Sequence, residues 1–177
     1  RAGNEYLYQI LAQTNIERLN QYHPKRIVAS CPHCFNTLKN EYPQLGGSYD
    51  VVHHSQFIQE LIDTGRLRVP SGTGRDGAFS YHDPCYLGRY NEVYDEPRDV
   101  LNKVEGSFVE LPRCRDRSFC CGAGGARAFM EEKRGTRISH NRLNEAIDTK
   151  AKGVAVACPF CVTMFEDGVR ALNVEER

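Results

Sequence analysis

The chain reads as an α/β protein of two similar lobes, with mainly parallel strands flanked by helices. Two observations predict this. Short apolar runs bounded by turn residues alternate with longer segments of helical period, the pattern of strands joined by helical crossovers. The unit strand, Cys-Pro-x-Cys, helix also occurs twice. Ile27-Val28-Ala29-Ser30-Cys31-Pro32-His33-Cys34 matches Val154-Ala155-Val156-Ala157-Cys158-Pro159-Phe160-Cys161, and a helical-period segment precedes each. This is an internal duplication. In such sheets ligands sit where strands end and helices begin, and there the cysteines fall.

Taken in order, residues 3–21 place Leu7, Ile10, Leu11 and Thr14 on one helical face, and His23-Pro24 ends the helix. Residues 26–30 form a short strand running into Cys31, and residues 33–42 a helix stopped by Pro43 and Gly46-Gly47. A strand over 49–53 leads into a helix capped by Ser55, with Phe57, Ile58, Leu61 and Ile62 inward, ending at Gly65. Residues 69–77 are the most loop-like stretch, which divides the chain into lobes 1–70 and 71–177. Beyond it come a strand over 78–81, a helix over 96–104 and a strand over 108–111. Gly122, Gly124 and Gly125 open a helix reaching about Lys133, and residues 135–150 form another, with Ile138, Ala146 and Ile147 inward. A strand over 154–157 and a helix after Cys158 complete the chain.

Composition narrows the function. Of 177 residues 40% are hydrophobic and 26% charged, ordinary for a globular protein. Lys plus Arg and Asp plus Glu both number 23, so no global field attracts nucleic acid or an anionic membrane. No apolar run approaches the roughly 18–20 residues that span a bilayer. Arg1 is not Met and the first helix is already under way there, so the sequence reads as a piece of something longer.

The cysteines carry the chemistry. Cys85, then 34 residues, Cys120-Cys121, then 36 residues, and Cys158-x-x-Cys161 bring five thiols in three groups. A proline after the first cysteine suits the first turn of a helix, whose N-terminus favours anionic sulfur. Adjacent cysteines can serve one centre only across a bend, which the glycines after Cys121 allow. Soft thiolates select iron–sulfur clusters, zinc or copper(I), and five exceed what one tetrahedral ion uses. Cys31 and Cys34 form a possible second, partial metal site. Cys114 lies outside the pattern and reads as a small core residue. His82, at a strand end, is the candidate catalytic residue: it can relay protons, or simply orient its loop through a hydrogen bond. Arg89 and Arg127 flank the motifs and could offset cluster charge. Eight cysteines in a chain with long periodic helices do not suggest a disulfide scaffold. A metal-free thiol–disulfide protein using Cys31 and Cys34 is a weaker reading.

These words resemble the cysteine-rich CCG domain of heterodisulfide reductase catalytic subunits and related iron–sulfur oxidoreductases, including the iron–sulfur subunits of glycolate and lactate oxidases. The resemblance rests on Cys85, Cys120, Cys121, Cys158 and Cys161. It rests also on His82-Asp83-Pro84-Cys85-Tyr86-Leu87-Gly88-Arg89 and on Phe119-Cys120-Cys121-Gly122-Ala123-Gly124-Gly125-Ala126. It covers essentially the whole chain, with residues 1–70 as the end of a first CCG repeat and 71–177 as a complete second one. It implies a noncubane 4Fe–4S cluster on those five cysteines, passing electrons in disulfide reduction or hydroxy-acid oxidation, with zinc the alternative occupant in a structural module. It further implies ferredoxin-like partner domains or subunits, a flavoprotein or a quinone-linked membrane part. The location it implies is the cytoplasm, with any membrane association through a part N-terminal to Arg1.

Overall fold

The computed structural model describes residues 3–70, 77–105, 107–132 and 134–174. Helix α1 (Glu5–Tyr22) starts at a cap, because the Asn4 side chain accepts the Leu7 N–H at 3.0 Å. Among the described residues the helix therefore begins at Glu5. It ends at His23, whose left-handed backbone precedes Pro24. Its buried face is not the one expected. Ala12 and Ile16 pack on Tyr42 with Tyr8, Leu19, Leu38 and Tyr49, whereas Leu7, Ile10 and Leu11 are 49%, 45% and 54% exposed. The small Ala12 lets the helix approach closely. Polar anchors then set its rotation: Asn15 donates to the Tyr42 hydroxyl at 2.9 Å, and Tyr49 to Asn20 at 2.9 Å. An apolar count does not see such bonds.

Strand β1 (Ile27–Ala29) runs into Cys31, and α2 (Pro32–Asn36) continues through a π turn (Thr37–Glu41) and a 3-10 turn (Tyr42–Leu45). Strand β2 (Val51–His53) lies parallel to β1, pairing Ile27 with Val51 and Ala29 with His53. Helix α3 (His54–Asp63) takes its cap from His53 rather than Ser55: the imidazole accepts the Ser55 N–H while the Gln56 amide oxygen accepts the His53 N–H.

The second repeat builds the same pair. Strand β3 (Phe79–His82) is parallel to β4 (Gly153–Val156), with His82 opposite Val156. Gly153 is dictated by this pairing, since a Cβ there would meet the Phe79 ring at 2.6 Å. Between the two strands lie α4 (Gly88–Asn91), α5 (Asp95–Glu105) and α6 (Ile138–Asp148), and α7 (Pro159–Leu172) follows β4. The α/β class and the parallel pairing hold.

Two elements differ from expectation. Residues 108–111 make only a bridge, Phe108 beside Phe79, because Leu111 turns inward and Pro112 has no N–H to extend a ladder. After the CCG glycines there is one 3-10 turn, Arg127–Phe129, and no helix. Gly125 and Ala126 both take left-handed backbone, and Phe129 and Met130 face solvent, so no stripe stabilises a helix. Lys133 and most of the expected boundary loop (71–76) lie outside the described residues.

The two repeats share one core. Ala29, Phe35 and Val51 of the first pack with Tyr81, Leu87, Val93 and Ala157 of the second. Helix α3 lies against α5. This packing carries the two Cys-Pro-x-Cys turns toward each other.

Candidate metal centre

Each Cys-Pro-x-Cys turn has the same local form. Cys31 and Cys158 are the caps of α2 and α7, both with extended backbone, and Pro32 and Pro159 occupy the first helical position where no N–H is needed. Cys161 lies three residues into α7 and, like Cys158, is buried. Cys34, its counterpart in the first repeat, faces solvent.

The doublet is bent at Gly122, whose φ of 93° suits glycine and whose N–H donates to the Cys120 sulfur at 3.3 Å. A Cβ at Gly122 would lie 3.2 Å from the Ile138 side chain at the start of α6. The bend turns both sulfurs of the doublet toward β3. Cys85, Cys120, Cys121 and Cys161 thereby line one narrow cleft with His82 and Ser118. Cys158 joins them through Cys161, whose thiol donates to it, and lies close enough to Cys85 for their charges to interact.

These contacts divide the protons. Hydrogen bonds from the Cys120 and Cys161 thiols, helped by His82 and against burial, hold Cys121 far below the usual thiol range. Bonds from Cys161 and Cys31 push Cys158 down to about 3. The donors shift the other way: Cys161 rises because its one proton is shared between Cys121 and Cys158 and it is buried, and Cys120 because it donates to Cys121. Burial raises Cys85. A bound cation would displace the thiol protons of this hydrogen-bonded set.

The walls are held by buried arginines. Arg142 of α6, fully buried, donates to His82 Nδ1 at 3.1 Å, to the Arg113 carbonyl at 2.9 Å and to Glu145 at 2.7 Å. Arginine only donates, so Nδ1 accepts and the ring proton sits on Nε2. His82, Cys121 and Cys161 have donor atoms all within 4.8 Å of one another. Burial lowers the pKa of His82, against its bond to Cys121 and with the charge of Arg142. Asp83, next along, is clamped by Arg98 through two bonds of 2.7 and 2.8 Å, and accepts the Arg115 N–H at 2.7 Å. Arg89 donates to the Asp116 and Ser118 carbonyls, and Arg127 pairs with Glu132 on the surface. Cys114 is half-buried beside Glu110.

A second group lies across the repeat boundary. His33 Nδ1 is 3.8 Å from both the Cys31 and the Cys158 sulfur. The His33 ring packs between Tyr86 and Phe160, with centroids 4.4 and 5.3 Å away. The structure therefore brings Cys31 to the second repeat, while Cys34 is exposed. Sequence reasoning missed this approach, and nothing local to either motif announces it. It also missed Arg142, although one signal was present: a charge at Arg142 stands midway between Ile138 and Ala146 on the inward stripe of α6.

The family model for the CCG cysteine-rich domain matches residues 1–39 and 79–166. The chain belongs to the CCG family. This CCG chain is 42% identical to the EtfAB:quinone oxidoreductase of Syntrophomonas wolfei, over 99% of its own length and 25% of that protein. It is 42% identical to the probable iron–sulfur-binding oxidoreductase FadF of Bacillus subtilis, over 100% and 25%. It is 34% identical to one of the subunits of the dihydromethanophenazine:CoB–CoM heterodisulfide reductase of Methanosarcina barkeri, over 92% and 40%. The CCG chain thus spans a quarter to two fifths of the length of these relatives. Among the described residues no helix is long and apolar enough to cross a membrane.

Proposed function

We propose that this chain is the electron-carrying module of a larger iron–sulfur oxidoreductase, with a noncubane 4Fe–4S cluster held by Cys85, Cys120, Cys121, Cys158 and Cys161. The observation that carries the reading is the convergence of Cys85, Cys120, Cys121 and Cys161 on one narrow cleft that also holds His82, with Cys158 beside Cys161. The donor set fits such a group. It is all soft sulfur apart from one imidazole, and the nearest carboxylate, Asp83, is taken up by Arg98.

When bound, the cluster supplies one-electron transfer, of the kind used in disulfide reduction or hydroxy-acid oxidation. The protein's own residues set its surroundings. Gly122 bends the doublet so that adjacent thiols face one centre. His82 gives its Nε2–H to the Cys121 thiolate and is kept in that tautomer by Arg142, which makes it a positioning residue. Hydrogen bonds onto thiolate sulfur withdraw charge and tune the potential of the group they ligate. The partners expected on this reading are ferredoxin-like domains or subunits and a flavoprotein or quinone-linked membrane part. Its location on this reading is cytoplasmic, with membrane attachment elsewhere in the protein.

Iron and acid-labile sulfide, measured with electron paramagnetic resonance on anaerobically purified protein, test the proposal. About four of each per chain at this site supports it, with loss of the signal in Cys120→Ser and in Cys121→Ser. Colourless protein with stoichiometric zinc and no iron would return the domain to a structural zinc module.

A further inference from the structure

We propose that the free edge of β4, with the apolar groove beside it, receives a third strand: an extended, apolar segment of the polypeptide that leaves α7, running parallel to β4. This surface goes beyond the electron-carrying role and uses none of the cluster cysteines.

The edge is open. On the side of β3 away from β4, the Phe79 N–H donates to the Ser107 carbonyl and the Phe79 carbonyl accepts the Val109 N–H. In a parallel ladder one residue of each facing pair bonds across, so Gly153 and Ala155, opposite Phe79 and Tyr81, make the bonds to β3. The N–H and C=O groups of Val154 and Val156 therefore point the other way, where no strand pairs with β4 among the described residues. Beside that edge α6 and α7 leave a groove of about 500 Å³, lined by Leu143, Ile147, Val154, Phe165, Val169 and Val174. An unpaired edge next to apolar pockets is the surface that strand addition uses.

The first repeat shows what fills such a groove. In the register that aligns Cys31 with Cys158, α1, β1 and the helix after Cys31 correspond to α6, β4 and α7. The correspondence persists to the last turn. Gly46 and Asn173 both take left-handed backbone. The Gly47 N–H donates to the Tyr42 carbonyl at 2.9 Å, and the Val174 N–H to the Val169 carbonyl at 3.2 Å. The chain thus leaves α7 as it leaves Leu45. From Leu45 it runs to β2, where Ile27, in the place of Val154, gives its N–H to the Asp50 carbonyl at 2.8 Å. On the way Tyr49 packs with Ile16 and Tyr42, which stand in the places of Leu143 and Val169. The second repeat has the same bed with no strand on it among the described residues. There is chain to supply one, since the sequence covers 25% of the Syntrophomonas wolfei relative.

The bed also defines the chemistry of its occupant. The Tyr49 hydroxyl donates to Asn20 at 2.9 Å, whereas Ile147 stands in the place of Asn20, so the matching residue of the added strand is aliphatic or phenylalanine. Beside β2, Asp50 pairs with Arg26 at 2.7 Å. Exposed Lys150 and Lys152 border the groove of the second repeat and favour an acidic residue there in the same way.

Photo-cross-linking in the larger protein tests the assignment. Benzoylphenylalanine replaces Val169 in the groove or, as a control, Arg170 on the exposed side of α7. Mass spectrometry is expected to find position 169, and not 170, linked to a peptide of the same chain downstream of Arg177. Hydrogen exchange covers the case in which the bulky probe displaces the strand. Without the probe, the Val154 and Val156 amides are expected to exchange at least tenfold more slowly in the parent than in Val169→Glu. The amides of Ser80 and His82, within the β3–β4 pair, are expected to be the same in both. A link from position 169 to a second copy or to another subunit, or exchange at Val154 and Val156 as fast in the parent as in Val169→Glu, would overturn the proposal. Neither readout needs iron, so failure of cluster assembly leaves this result standing.

Discussion

Arg142 reaches through the core of the second repeat to place its Nε 3.1 Å from Nδ1 of His82, and both side chains are buried. That bond fixes which nitrogen of His82 keeps a proton toward Cys121 and Cys161. It also explains why a guanidinium stands on the inward stripe of α6, where an aliphatic residue would otherwise pack. Glu145 neutralises it at 2.7 Å, and the Arg113 carbonyl and Ser118 hydroxyl accept two further N–H groups.

Arg142→Met should therefore do two separable things. Removing one partner of a buried polar network costs about 3 kcal/mol, read as a lower melting temperature. The His82 imidazole should also lose its single tautomer, seen as a change in its ring nitrogen shifts, while Arg142→Gln should retain much of the donation to Nδ1. Identical nitrogen shifts in the methionine variant would mean that something other than Arg142 sets the tautomer.

The clamp on Asp83 lends itself to a mutant cycle. Arg98 and Asp83 are 5% and 2% exposed at their side chains and meet through two short bonds, with Glu110 as a third, half-exposed partner. Arg98→Met leaves a buried carboxylate without its cation, so a loss of about 3–5 kcal/mol is expected. Asp83→Asn in the same background should restore part of it. Strict additivity in urea unfolding would show that the pair does not couple.

Glycines in the CCG segment are unequal. Gly122 needs positive φ and sits 3.2 Å, at its would-be Cβ, from Ile138, whereas Gly124 has an ordinary φ and open space around it. Gly122→Ala should lose about 2 kcal/mol and a large part of the bound iron, and Gly124→Ala should change stability by less than about 0.5 kcal/mol. Equal effects of the two substitutions would remove the bend from the account.

The repeated strand–turn–helix unit is legible in the sequence because its signals are local: an apolar run, a proline that can only begin a helix, and a spaced pair of thiols. The parallel pairing follows from it. The buried face of α1 is not legible, since Leu7, Ile10 and Leu11 make as good a stripe as Tyr8, Ala12 and Ile16, and only Tyr42 and Tyr49, which arrive from elsewhere, choose between them. The same holds for the candidate site. The five thiols can be read off as a pattern, but their hydrogen-bonding order cannot. Nor can the approach of Cys31 to Cys158, which depends on how the two repeats share a core.

His53 makes stability depend on pH. It is fully buried at the end of β2, edge-on to Phe35, and burial together with the neighbouring His54 pushes its pKa down to about 3. In the unfolded chain it titrates near its ordinary value of about 6.5. Between those two pH values the unfolded state holds a proton that the folded state does not. Stability is therefore complete above pH of about 6.5 and falls as pH drops toward 3, by about 1.4 kcal/mol per unit for this one group. His54 and His82, also lowered by burial, add to the same slope. Asparagine at position 53 keeps an acceptor for the Ser55 N–H but does not titrate. His53→Asn should accordingly be less stable than the parent at pH 7.5, through lost packing on Phe35, and the gap should narrow or reverse at pH 5. Urea midpoints at the two pH values measure this, and an unchanged gap would place the acid sensitivity elsewhere.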